Sequence, residues 1–284
     1  MFDRSRRTRR AGYDIEGIGE GVYRINEYNV ANCYLIIGSE KALLIDTGAG
    51  VNDLRSVIAP LAGGKPVEAA LTTALPWHSG GRAQFDKIYL SEKEKPYLES
   101  STLRARKNYL HSLKFFFKLK VIGFRNCRWV RGAEPETVFV SEGDVIDLGG
   151  KTVRVYESKG LTHGALSYLA VENRLLFVGD TYNPCTYLGI KRAAKTEELK
   201  TTLQRILRGN TYDAIFATHF VAPVPRDKVQ DAVDCIERIV RHTNGLPFPH
   251  VSSYRGYTVV NWGHKRRVRR HRPKKSESDD FAGE

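Results

Sequence analysis

The sequence predicts a layered α/β domain, a four-layer αβ/βα sandwich, and three observations carry that expectation. Short apolar runs of strand length alternate with stretches of helical spacing along the 284 residues. The order of strands followed by helices occurs twice, once in each half. The hydrophobic content of 41% supports one large core, while no apolar stretch reaches the roughly 18 residues of a membrane span.

The first half opens with three apolar runs, Gly21-Tyr23-Ile25, Asn32-Tyr34-Ile36-Ile37 and Ala42 to Ile45, separated by turn residues such as Gly38-Ser39. They predict a strand meander. Asp46-Thr47-Gly48-Ala49-Gly50 closes the third strand, and Asn52-Asp53 can cap a helix with Leu54, Ile58 and Leu61 on one side. Val67-Ala69-Leu71 returns as a buried strand and delivers Thr72 to Gly81, a junction before the next strand at Ile88–Leu90. Residues 92–120 predict helix, and within them Arg104, Arg106, Lys107, Lys114, Lys118 and Lys120 interleave with Tyr109, Phe115, Phe116 and Phe117. That stretch reads either as a peripheral amphipathic helix or as a lid whose cations select an anionic ligand.

The second half repeats the rhythm. Thr137 to Val140, Asp144 to Leu148 and Val153 to Val155 predict strands, and Leu166 to Ala170 with Leu175 to Val178 predict a hairpin through Glu172-Asn173. Thr196 to Leu207 predicts a helix, Tyr212 to Ala217 a strand, and Pro225 to Arg241 an amphipathic helix. Val251 to Trp262 ends the domain as a strand or hairpin turning at Gly256. The expected organisation is a basic N-terminal segment (1–19), one domain (20–262) with a basic, aromatic helical insert around 92–133, and a C-terminal tail (263–284), basic then acidic and expected to be disordered.

The net charge of +13 is concentrated in three places. Residues 1–10 hold five arginines and one aspartate, residues 101–133 hold nine Lys/Arg and no acid, and residues 264–275 hold eight Lys/Arg and no acid. The rest of the chain is net acidic, so the pattern suggests an acidic partner or an anionic small molecule, with nucleic acid as a partner for the basic tails. A homo-oligomer is left open. The N-terminus lacks the apolar core of a secretory signal, which predicts a cytoplasmic protein. Cys33, Cys127, Cys185 and Cys235 are far apart without a C-x-x-C pair, which speaks against a disulfide framework or a thiolate zinc site.

The stretch Leu71 to Gly81, with the surroundings of Asp46, Asp180 and His219, resembles the metallo-β-lactamase superfamily, whose H-x-H-x-D-H signature lies between such a strand end and a pair of glycines. The resemblance covers residues 20–262 and implies the αβ/βα sandwich. It also implies a two-zinc hydrolase whose metals activate water. Thr73 and Leu75 stand where that pattern has its first two histidines, Trp77 where it has aspartate, and only His78 matches. Gly179-Asp180-Thr181 matches the bridging aspartate and Ala217-Thr218-His219 the final histidine. Leu161 takes the ligand position of the turn Gly160 to Gly164, with His163 two places late. Asp46 matches a position that supports the site from outside.

These matches imply loss of the dinuclear site, with all three ligands of the first metal replaced. His78, Asp180 and His219 remain as candidate ligands for a single zinc or iron ion, or as a metal-free hydrogen-bonded cluster crowded by an indole. Tyr182, Cys185 and Tyr187 are expected to line the same pocket. Three functions follow as expectations: a non-catalytic or weakly active pocket-containing protein without cofactor; a mononuclear hydrolase of an ester, thioester or phosphoester; and a nucleic-acid-binding protein. The first is favoured.

Overall fold

A computed structural model describes residues 8–10, 12–28, 30–116, 128–188, 192–242 and 250–261. The first sheet runs in chain order: β1 (Thr8–Arg10), β2 (Tyr13–Gly19), β3 (Val22–Glu27), β4 (Ala31–Ile37), β5 (Ala42–Ile45), β6 (Val67–Ala70), β7 (Lys87–Leu90) and β8 (Glu136–Phe139). Its pairings are antiparallel up to β5 and parallel from there to β8. The second sheet contains β9 (Val145–Asp147), β10 (Thr152–Glu157), β11 (Leu166–Ala170), β12 (Leu175–Phe177) and β14 (Ala214–Phe216), with β14 parallel to β12 at one edge. Between the last two in sequence comes β13 (Cys185–Leu188), which pairs in parallel with β16 (Tyr257–Asn261) in a small third sheet completed by β15 (His250–Tyr254).

The four layers follow from the two faces of each strand. In β4, Tyr34 and Ile36 enter the core between the two large sheets, where Val153, Val155, Tyr168 and Phe177 meet them. Cys33 and Leu35 point the other way, into a cluster covered by α1 (Leu54–Ile58). Across the molecule, Leu169, Leu176 and Ile215 leave the second sheet on its outer face and pack on α5 (Thr196–Arg208) and α6 (Arg226–His242) through Leu199, Leu203, Val229 and Ile236. The stack of helix, sheet, sheet and helix is the expected sandwich.

Three expectations change. Residues 13–19 belong to the first sheet, with Tyr13, Ile15 and Ile18 buried, so the domain begins before residue 20. The alternation Tyr13-Asp14-Ile15-Glu16 was legible but overshadowed by the arginines before it. The α1 helix stops at Ile58, because Pro60 and Gly63-Gly64 prevent a further regular turn, and Leu61 lies beyond it. The 92–120 stretch is not one helix: a 3₁₀ turn (Glu92–Glu94) leads into α3 (Lys95–Ser100), and α4 (Leu103–Phe116) starts anew after Ser101. Phe117, Lys118, Lys120, Cys127, Trp262 and both basic termini, 1–7 and 263–284, lie outside the described residues. No described helix is long and apolar enough to cross a membrane.

Phe177 is fully buried between the sheets, with ring centroids 4.7 Å from Tyr34 and 5.8 Å from Phe216. Phe177→Ala is expected to cost about 3–5 kcal/mol, from lost burial plus the cavity left behind. Urea denaturation followed by circular dichroism measures this as a lower midpoint with an unchanged slope.

Candidate functional site

The site forms where β6, β12 and β14 end. After β6, Pro76 opens the short helix α2 (Pro76–Ser79), its fixed φ suiting the first helical position. Gly80 ends it and cannot carry a side chain, because a Cβ there would lie 2.3 Å from the Ala49 carbonyl group. This close approach brings the loop after β5 against α2, where Thr47 N–H donates to the His78 carbonyl (2.7 Å) and Gly80 N–H to Gly48 O (2.9 Å). The buried Glu27 carboxylate holds the same loop by accepting the N–H groups of Ala49 (2.6 Å) and Val51 (3.0 Å).

Asp180, one turn beyond β12, is the hub. Its Oδ2 accepts the Trp77 indole N–H at 2.8 Å and lies 3.0 Å from His78 Nε2, while its Oδ1 lies 3.3 Å from His219 Nε2. The His78 contact is an ion-pair approach, not a well-aligned hydrogen bond. On its other side, His78 Nδ1 is 2.6 Å from Asp46 Oδ2. Asp46 also accepts the Thr72 N–H (2.8 Å) and hydroxyl, so it fixes the histidine ring from behind, as expected of a supporting residue.

Burial disfavours charge on both partners, but the neighbours outweigh it. Desolvation pushes the His78 imidazole down, whereas Asp46 and Asp180 raise it to about 10. Desolvation likewise raises the Asp180 carboxyl, and the charges of His219 and His78 hold it well below the usual carboxylate range. His219 is held below its ordinary value, chiefly by desolvation.

The structure therefore brings His78, Asp180 and His219 together. The replaced positions also converge. Leu75, Trp77 and Leu161 form one apolar cluster, and Tyr109 of α4 packs against it, stacked on the Trp77 ring at 4.2 Å and 21°. Thr73 turns its hydroxyl to the Leu75 N–H (3.2 Å). His163 lies apart, 44% exposed and 3.8 Å from Glu198, so it does not fill the place of Leu161. The expected lining is corrected for Tyr182, which is buried in the helix-covered core beside Tyr257. Cys185 and Tyr187 lie in β13. Three surface cavities, of about 620, 230 and 630 Å³, open elsewhere, and none is lined by His78, Asp180 or His219.

Sequence reasoning missed two charged residues here. Glu94 is fully buried and ties two site loops together, accepting the N–H groups of Ala74 (2.9 Å) and Gly164 (3.1 Å). Arg192 is half-buried, and desolvation lowers its pKa against the opposing influence of Tyr97, Asp180 and Glu94. Neither stands in a motif. The helix covering the site is clamped by Arg106, which donates to the carbonyls of Gly80 (2.6 Å) and Val130 (2.8 Å).

Two stacked αβ layers with a histidine–aspartate cluster at the strand ends define a metallo-β-lactamase-fold protein. The chain has the metallo-β-lactamase fold and is similar in sequence to proteins of that superfamily. It is 27% identical over 190 residues to the human acyl-coenzyme A thioesterase MBLAC2, an alignment covering 59% of this chain and 66% of that protein. It is 25% identical over 177 residues to the lactamase-like protein ptaB of Pestalotiopsis fici, covering 59% of this chain and 46% of the fungal protein. The chain thus spans less than two thirds of these relatives. Among solved structures, a metallo-β-lactamase from Erythrobacter litoralis superposes with a TM-score of 0.58 at 15% identity, over 82% of this chain and 99% of that one. No family model matches the chain.

Two measurements test the site. Trp77→Phe keeps an aromatic ring against Tyr109 but deletes the N–H donated to Asp180, and is expected to destabilise the fold by about 1.5–3 kcal/mol, the range for hydrogen bonds to charged groups. Thermal melting of the variant reads this. Burial raises the Glu27 carboxyl from 4.5 to about 7 against the opposing hydrogen bonds of Ala49 and Val51. Between those values the folded state holds a proton that the unfolded chain has released. Glu27 therefore lowers stability as pH rises from 4.5 to about 7 and adds no slope above it. Denaturation of wild type and Glu27→Gln at several pH values should show this slope in the wild type alone.

Proposed function

We propose that this protein keeps the metallo-β-lactamase fold without two-metal hydrolysis, as a non-catalytic or weakly active member of its superfamily. The observation that carries this reading is the indole N–H of Trp77 donating to Asp180 at 2.8 Å. Three nitrogens, from Trp77, His78 and His219, face the one carboxylate that would bridge two metals. A cation there would need the carboxylate lone pairs these groups approach, and an indole N–H has no lone pair to offer it. The three residues at first-metal positions, Thr73, Leu75 and Leu161, include no good zinc ligand, and two of them pack into the apolar cluster with Trp77. As arranged, the donor set does not fit a dinuclear centre, and no reaction step is assigned to one. Among the described residues, no group of three or more His, Cys, Asp and Glu is placed to hold a metal ion.

In place of a metal, the cluster pairs its own charges. An imidazolium at position 78 between Asp46 and Asp180 satisfies a buried negative charge that the fold would otherwise leave exposed to a low dielectric. The cluster then positions three strand ends, and α4 closes over it.

A second reading rests on the relatives named acyl-coenzyme A thioesterase: a hydrolase of an acyl thioester, using His78, Asp180 and His219 around a single metal. It requires the Trp77 indole to leave Asp180. One experiment separates the two. Protein purified without chelator is analysed for zinc and iron and assayed for acyl-coenzyme A hydrolysis beside His219→Ala. The proposed function expects substoichiometric metal and no hydrolysis above the variant. Stoichiometric metal together with turnover lost in His219→Ala would establish the thioesterase instead.

A further inference from the structure

We propose that a groove on the far side of the α4 clamp binds a nucleotide, with its base against Trp129 and its phosphate among Arg128, Arg131 and the neighbouring Arg82–Arg106 pair. The groove has a volume of about 620 Å³ and is lined by Trp129, Arg128 and Arg131. A second cavity of about 230 Å³ shares the wall of Ala83, Val130 and Arg131 with it and adds Arg82 and Arg106. Together they place an aromatic side chain among five guanidinium groups and three carboxylates, those of Asp53, Glu99 and Glu134, a net positive lining that suits a ligand part ring and part oxyanion.

The charges are unevenly satisfied. Arg82 is paired with Glu134 through two contacts of 2.7 Å. Arg106, 7% exposed, spends its terminal nitrogens on neutral carbonyl oxygens, and its Nε has no acceptor among the described residues. Desolvation first, then repulsion from Arg82 and Arg131, depresses the ordinarily high pKa of Arg106 against the opposing charges of Glu27 and Glu134. Among the described residues, neither Arg128 nor Arg131 has a carboxylate within ion-pair distance, and both are exposed. Two exposed guanidiniums without an ion-pair partner among the described residues, beside a buried one whose terminal nitrogens are held by carbonyls, favour an anion there.

The aromatic side is held in place. Trp129 forms a bridge to Val51, packs against the Val51 cluster and lies under Arg106 and Lys107 at 5.9 and 5.8 Å. Its indole is only partly buried, and the remainder faces the groove. Held by these contacts and still partly exposed in the groove, it offers a planar base an aromatic surface that needs no prior ordering of the protein. A simple oxyanion would use the arginines alone, whereas a nucleotide uses both features. The groove shares no lining residue with the His78, Asp180 and His219 cluster, so the inference stands apart from the proposed function.

Isothermal titration calorimetry of the full chain with AMP, inorganic phosphate and adenosine tests the inference. AMP is expected to bind at least about tenfold more tightly than phosphate or adenosine, and more weakly as salt rises. Arg131→Ala and Arg128→Ala alter exposed side chains and should leave the melting temperature unchanged while weakening AMP about fivefold or more. Trp129→Leu should weaken AMP while leaving any phosphate binding as it was. Absence of AMP binding at millimolar concentration overturns the proposal. So does AMP binding no tighter than phosphate, or AMP binding indifferent to Arg131→Ala and Trp129→Leu.

Discussion

The carboxylate of Asp180 is the constraint on which the centre of the molecule depends. It is buried, charged and delivered by the end of β12, and three nitrogens from two other segments converge on it. Removing an ion from water costs several kcal/mol even after relaxation, so an uncompensated carboxylate at this depth would not be tolerated. The compensation comes from α2 through Trp77 and His78 and from the segment after β14 through His219. The hub therefore joins the ends of both sheets. Asp46 completes it by holding His78 from the opposite side, and Glu27 holds the loop that carries Asp46 toward α2.

Around that hub lies a small apolar core. Leu75, Trp77 and Leu161 would each be an isolated replacement in the sequence, but in space they touch, and Tyr109 stacks on them from α4. An indole can serve both parts of this arrangement. Its ring joins the apolar cluster and its N–H reaches the carboxylate, the dual character that makes buried tryptophan useful at a polar–apolar boundary. The insert is fastened on its other side by Arg106, whose donors reach carbonyls of the Gly80 turn and of the segment returning from the insert. The basic segment thus helps to close the site, and its exposed Arg128 and Arg131 line a different groove.

The fold was largely legible because its signals are local and repeated. The strand runs at Asn32 to Ile37 and Leu166 to Ala170 alternate between two cores, and the two long helices carry apolar residues at helical spacing. The N-terminal strand was less evident because arginine density outweighed a four-residue alternation at Tyr13 to Glu16. The break between α3 and α4 escaped notice because Ser101 and Thr102 interrupt the helix without a proline or glycine. At the site, His78, Asp180, His219 and Asp46 could be named from their motif contexts. Glu94 and Arg192 could not, since a buried charge in a loop or short turn has no signature until its partners arrive from elsewhere in the chain.

By itself the sequence determined which residue types stand at the ligand positions, and hence which of them could donate a lone pair to a metal. That is a property of each side chain and needs no geometry. Only the tertiary structure decided what the remaining groups do with one another: that the Trp77 N–H meets Asp180, that three dispersed apolar replacements form one cluster, and that Tyr182 belongs to the helix-covered core and not to the site. Residues 103 positions apart, as Trp77 and Asp180 are, become partners only when two sheets stack and bring their strand ends within hydrogen-bond reach.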